Sequence, residues 1–304
     1  MARLGKVLAS PYLQLSTAAL LWSGNFIVGR ALRGLISPLA LNFWRWVIAL
    51  AILLLFTHRL LWEHRRTIAR EWKLIAALGF SGIAAFHTSV YAALVTTSAL
   101  NALLLLVITP LLIAVGGWIA FRDPVTSRQV LGLGVSLAGA ILLIARGSLS
   151  VLLTLEFTAG DLWMLLAVAL WTVYSLLLKR RPAGLPQSAL LCATTIAAVI
   201  LMLPVYAWTG SGEELRSLRA PALWGLGYVA VFASVLAFLF WNNGVSKIGA
   251  SRAGTFLYLM PFFGAVLSVI FLGEGVQMYQ ATGGVLIFIG IALMNWAREE
   301  SMPT

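Results

Sequence analysis

The 304 residues are 61% hydrophobic and 10% charged, against the roughly quarter-charged balance of soluble domains, which excludes a water-soluble globular protein. The net charge of +11 would suit nucleic acid if it were gathered in one patch, but it is dispersed over many connections, so no nucleic-acid partner is expected. Cys192 is the sole cysteine, which excludes an internal disulfide and a metal site of the cysteine type; no cofactor is called for.

Ten apolar stretches reach the roughly 20 residues that a bilayer crossing requires. They run from 11 to 30, 37 to 57, 73 to 94, 99 to 120, 126 to 145, 160 to 179, 187 to 208, 221 to 243, 252 to 272 and 276 to 297. The first has the basic flank of a signal peptide, but its length and its successors make it an uncleaved spanning helix. Trp22, Asn25 and Gly29 share one of its faces. In the second stretch "NFWRWVIAL" sets Asn42, Arg45 and Ala49 on one face, and in the third His87, Tyr91 and Leu94 align. Asn101 opens the fourth, where Pro110 predicts a kink. Asp123 followed by Pro124 reads as an N-cap and first-turn proline for the fifth. Trp163 begins the sixth, which also carries Trp171 and Tyr174. Trp241 and Asn242 lie in the eighth, Tyr258 in the ninth just ahead of Pro261, and Glu274 is expected to open the tenth as Asp123 opens the fifth. Gly116 with Ala120, Gly132 with Ser136 and Gly264 with Ser268 are spaced to let helices approach closely.

Connections this short leave no room for a soluble module, so the chemistry lies in or beside the membrane. One set of connections holds Arg3, Lys6, Arg59, Arg65, Arg66, Arg70, Lys73, Arg122, Arg128, Lys179, Arg180, Arg181, Lys247, Arg252 and Arg298. The other holds Arg30, Arg33, Arg146, Arg216 and Arg219, and that bias predicts both termini in the cytoplasm.

The stretch from Ser98 to Arg146 aligns without a gap onto Gly249 to Ala297, 151 residues on, with 12 of 49 pairs identical. Pro110 meets Pro261, Gln129 meets Gln280, Gly132 meets Gly283 and Gly139 meets Gly290; Asp123 falls on Glu274. A weaker match lays "LLWSGNFIVGR" on "ALWTVYSLLLK", pairing Trp22 with Trp171 and Asn25 with Tyr174. Two five-helix units, 1–150 and 151–304, follow from this. Because five is odd, the second unit enters from the opposite side, so the halves are inverted, a recurrent device of secondary transporters. The expected fold is therefore an all-α membrane protein of ten transmembrane helices in two inverted five-helix repeats, with Pro110 and Pro261 as paired hinges.

"LLWSGNFIVGR", the arginine of "FWRW", "ALVTTSALNALLLLVITPLLIAVGGWIAFRD" and "KIGASRAGTFLYLMPFFGAVLSVIFLGE" together resemble the paired EamA-type repeats of the drug/metabolite transporter superfamily over essentially the whole chain. The resemblance implies a ten-helix bundle that exports small metabolites, amino acids among them, from the bacterial inner membrane.

All ten acidic residues fall in connections, tails or helix ends, so none is placed as the mid-membrane counter-charge of a cationic-drug antiporter. His87 is the only histidine within a span and could titrate, although an imidazole bonded to a neighbouring helix fits the same position. The residues expected to line a substrate path are Trp22, Asn25, Asn42, Arg45, His87, Tyr91 and Asn101 in its outer part, Trp163 near the outer face, and Trp171, Tyr174, Asn242 and Tyr258 in its inner part. Interfacial anchoring of the aromatics and helix-to-helix bonding of the asparagines are the bland alternatives. One cation, aromatic walls and amides suit a neutral or aromatic amino acid; sugars, nucleosides and drug-like solutes are the other solute classes, and a channel or receptor ranks lower. No nucleophile-and-base grouping or acidic metal motif points to an enzyme. The expected partners are a small-molecule substrate and the lipid bilayer, and a monomer suffices because the duplication supplies both halves.

Overall fold

The computed structural model describes residues 10–32, 34–153, 155–209, 218–272 and 277–295, and every regular element among them is helical. The first helix, α1 (Pro11–Ala31), has the 21-residue length of a crossing but carries Gln14, Ser16, Thr17, Ser23 and Asn25. Among the described residues nine further helices are both long and apolar enough to cross a membrane. They are α2 (Pro38–Glu63), α3 (Trp72–Thr96), α4 (Asn101–Phe121), α5 (Ser127–Ile144), α6 (Ala159–Arg180), α7 (Gln187–Thr209), α8 (Ala220–Ile248), α9 (Ala250–Leu267) and α10 (Met278–Asn295). Each predicted stretch coincides with one of these helices. Short helices Arg65–Arg70 and Leu149–Leu153 complete the connections. The readings placed on Arg3, Lys6, Arg33, Glu213, Glu214, Arg216, Glu274, Arg298, Glu299 and Glu300 lie outside the described residues.

Local chemistry sets the helix starts. The Ser37 hydroxyl accepts from the Ala40 N–H with Pro38 in the first turn, and Ser98 does the same for Asn101. The start of α5 corrects the expectation for Asp123: the cap is Thr126, whose hydroxyl accepts from the Gln129 N–H while Gln129 Oε1 accepts from the Thr126 N–H. At α10 Gln280 Oε1 likewise accepts from the Gln277 N–H at 2.8 Å. The repeated glutamine therefore bonds back to the start of both helices. Asp123 instead receives Lys179 from the end of α6 in an ion pair. The chain has turned left-handed at Arg122, φ 54°, so Asp123 lies upstream of the first turn of α5.

Four helices are irregular in mid-course, and the irregularities pair. α3 widens to a π-turn at Phe80–Ala84 and α8 at Val229–Leu236, at the same repeat offset. α4 breaks between Ala99–Leu106 and Thr109–Phe121, and α9 tightens to a 3₁₀ turn at Thr255–Tyr258 before Leu259–Leu272. Each break stands about one turn before its proline. The ring of Pro110 would meet the Leu106 carbonyl, and that of Pro261 the Leu257 carbonyl, in an unbroken helix.

The helix pairs also match. α3 packs on α6 and α8 on α1; α4 packs on α6 and α9 on α1; α2 faces α7 and α5 faces α10. Along α5 and α10 the backbones touch: a Cβ on Gly132 would sit 2.7 Å from the Gly290 carbonyl, and one on Gly139 would sit 2.6 Å from that of Gly283. The repeat carries the first of these contacts onto the second. Side-chain ties at the helix ends join Asn101 Nδ2 to the Glu156 carbonyl at 2.8 Å on one side, and Asp123 to Lys179 on the other.

Candidate functional site

The middle of the bundle is a tight aromatic cluster. Trp22 of α1 meets Trp171 of α6 edge to face, centroids 5.1 Å apart, and both rings pack on Phe238 and Trp241 of α8. Trp46 of α2 and His87 of α3 close on Phe238 from the other side, at 4.9 and 5.8 Å. The expected division of the path into an outer and an inner lining therefore does not extend to Trp22 and Trp171, which touch. The two helices reach the centre at their middles, and the rings fill it from opposite sides.

Arg45 is fully buried beside this cluster. Its Nε donates to Ser234 Oγ at 2.8 Å, and its Nη1 donates to Tyr91 Oη at 2.6 Å and to Asn25 Oδ1 at 3.5 Å. Tyr91 Oη also donates to Asn25 Oδ1, at 3.4 Å. The Arg45 guanidinium lies 5.6 Å from the Trp46 ring centre. The oxygens that accept from the guanidinium are all neutral side-chain groups. Its Nη2 is buried without a partner. The π-turn of α8 explains Ser234: that hydroxyl donates to the Val229 carbonyl five residues back, which turns its oxygen toward Arg45.

The same wide turns take up two more predicted residues. Trp22 Nε1 donates to the Ala233 carbonyl at 3.0 Å, and Asn42 Nδ2 donates to the carbonyls of Ile83 and Ala84 at 3.3 and 3.1 Å. A π-turn leaves carbonyl groups for side chains to satisfy, and in hydrocarbon none can go unsatisfied cheaply. Asn42 is thus a tie between α2 and α3.

In the second half Tyr174 Oη donates to Asn242 Oδ1 at 2.7 Å. This pair is the counterpart of Asn25 with Tyr91, with the residue types exchanged between the helices. Gly82 admits it, because a Cβ there would run into the Tyr174 ring. Tyr258 is buried at the 3₁₀ turn of α9 with its hydroxyl unpartnered.

A chamber of about 40 Å³ opens at the cluster, lined by Trp22, Asn25, Phe86, His87, Trp171 and Met260 among others. That is room for two or three waters at about 10–15 Å³ each, and well under the ~150 Å³ that admits a benzene ring. In this conformation the chamber is too small for an organic substrate.

Of the predicted residues, the structure brings together Trp22, Asn25, Arg45, His87, Tyr91, Trp171, Tyr174 and Asn242. It does not bring in Asn101, whose amide is committed to the Glu156 carbonyl, or Trp163, which is 48% exposed on the outer surface of the bundle. Phe86, Trp46, Ser234 and Phe238 belong to the site and were not predicted. Carrying the 151-residue offset back from Ser98 finds Phe238, since it lands on His87, whereas Ser234 has no sequence signal because a π-turn aims it. Among the described residues no group of three His, Cys, Asp or Glu side chains could hold a metal ion.

Long apolar helices packed around an aromatic cluster define an integral, multi-pass membrane protein. Residues 9–145 and 158–296 each match the EamA-like transporter family. The chain belongs to that family, which is consistent with the drug/metabolite transporter superfamily. It is 30% identical over 285 residues to the uncharacterized transporter YyaM of Bacillus subtilis, covering 92% of both chains. It is 25% identical over 244 residues to a probable terminal-alkyne amino-acid exporter of Streptantibioticus cattleyicolor, covering 79% of this chain and 80% of that one. A solved structure titled "Crystal structure of protein" superposes with a TM-score of 0.73 over 96% of this chain and 99% of that one, at 19% identity, and shares the fold.

Proposed function

We infer that this transporter exports small metabolites, neutral and aromatic amino acids first among them, across the bacterial inner membrane by alternating access. The observation that carries the reading is Arg45: a buried guanidinium with no acid beside it and Nη2 unpartnered, behind an aromatic chamber. A substrate carboxylate would complete it through charge-assisted bonds, and the rings would take the apolar side chain. The amino-acid exporter among the relatives supports the same substrate class.

Alternating access between two inverted halves of five helices, with both termini cytoplasmic, is supported by the matched helix pairs and the exchanged Tyr–Asn pairs. The counterpart of the Trp22-to-Ala233 bond would run from Trp171 to the Gly82 carbonyl, and Trp171 Nε1 is unpartnered. In the opposite state Trp171 closes on Gly82 and Trp22 lets go of Ala233. A monomer suffices for this exchange.

The test is the purified protein in liposomes, with labelled methionine, threonine, phenylalanine and glucose. Saturable counterflow of the amino acids is expected; uptake of glucose alone would refute the substrate reading, and flux without counterflow would make the protein a channel.

A further inference from the structure

The polar atoms at the chamber are unequally divided between donors and acceptors. Asn25 turns Oδ1 to Arg45 and Tyr91, so its amide NH₂ is the end left for the chamber it lines. Trp171 lines the same chamber with a buried, unpartnered indole N–H, a group that only donates. Outside the lining, Trp241, in ring contact with Trp22 and Trp171, buries a second one, and Arg45 Nη2, on the residue that holds Asn25, is the free arm of a guanidinium.

Three of the side-chain acceptors nearby are engaged. Asn25 Oδ1 takes two donors, Asn242 Oδ1 takes Tyr174, and Ser234 Oγ takes Arg45. Asn42 Oδ1 is unpartnered and, like Trp241 and Arg45, outside the chamber's lining; its amide is anchored on α3. Among the lining side chains His87 Nδ1 is the remaining atom that can accept. The buried carboxylate of Asp161 is held at the outer end of α6 by Thr97 and Thr158, away from the chamber.

We propose that the site recognises its substrate by the carboxylate alone, so that aromatic monocarboxylates lacking an amine bind at least as tightly as the amino acid with the same side chain. This rests on the reading of the chamber as the transport site and deepens it. A carboxylate brings acceptor positions and no donor, matching the surplus of N–H groups. An ammonium brings three more donors, and burying it without a partner costs free energy.

The experiment is equilibrium binding to the purified full chain in nanodiscs, using labelled phenylalanine and labelled 3-phenylpropionate, with phenethylamine as competitor. The expected result is a Kd for 3-phenylpropionate equal to or below that for phenylalanine, with phenethylamine weaker by about a hundredfold or more. Binding of phenylalanine with 3-phenylpropionate weaker by about tenfold or more would overturn the inference and leave the amino-acid reading standing. Phenethylamine binding as well as phenylalanine, or no binding of either acid, would overturn both. Asn25→Asp sets a carboxylate against Arg45 and should weaken both acids by about tenfold or more while the melting temperature stays near the native value. Unchanged 3-phenylpropionate affinity in that folded variant would also overturn the inference.

Discussion

Arg45 and Tyr174 make opposite demands on their surroundings. Arg45 is held by neutral oxygens only, and a buried charge so supported is weak as a source of stability. Arg45→Leu should therefore fold, with a melting temperature close to the native one, and lose transport to the background of empty liposomes. Normal counterflow by that variant would make the arginine structural. The Tyr174 hydroxyl, by contrast, satisfies Asn242 in a dry interior. Tyr174→Phe leaves that amide oxygen unpaired and should lower stability by about 1–3 kcal/mol, read from thermal unfolding in detergent. The tryptophans of "NFWRW" divide in the same way. Trp44 Nε1 donates to Tyr206 Oη at 2.8 Å and fixes α2 to α7, while Trp46 joins the central cluster.

At the scale of elements, the two wide turns and the two proline breaks do different work. The π-turns present carbonyls and Ser234 to side chains of other helices, which is how Trp22, Asn42 and Arg45 come to be positioned. The breaks before Pro110 and Pro261 face each other across a small apolar gap lined by Leu106, Val107, Leu257 and Tyr258. The α5–α10 pair, in contrast, is locked by backbone contact. Gly139→Val places a branched side chain against the Gly283 carbonyl, and overpacking of this kind costs about 1–3 kcal/mol. The expected outcome is a lower melting temperature and reduced yield of folded protein, whereas Gly134→Ala, which meets nothing within 4 Å, should be silent.

For the molecule as a whole, the exchange of latches proposed between the halves makes a paired prediction. Cys192 is buried and is the only cysteine, so a Cys192→Ser background permits single cysteines at Trp22 and at Trp171. Labelling with a membrane-impermeant reagent should reach these two central positions from one face in one state and from the other face in the other, and added substrate should shift both. Access to both positions always from the same face would rule out alternating access between inverted halves. Trp22→Phe, which keeps a ring but removes the bond to Ala233, should raise labelling at position 171 by shifting the population toward the other state.

Composition and hydropathy by themselves determined the membrane environment and the positions of the helices, because a bilayer rewards long apolar runs whatever they pack against; the family was legible as a resemblance of the repeated motifs. Proline placed the breaks in α4 and α9 to within a turn, through the clash of its ring with the carbonyl four residues back. The cap expected at Asp123 is formed by Thr126 with Gln129, because the left-handed turn at Arg122 leaves Asp123 upstream of the helix, where it pairs with Lys179. Which polar residues share a site was legible only in part. Helical spacing brought Asn42 and Arg45 to one face, but it could not separate Asn42, tied to α3, from Arg45, left with a free arm. Ser234 became a partner of Arg45 through a π-turn, and Trp22 met Trp171 through helix crossing. Both depend on backbone irregularity and packing between distant segments, so only the tertiary structure decided them.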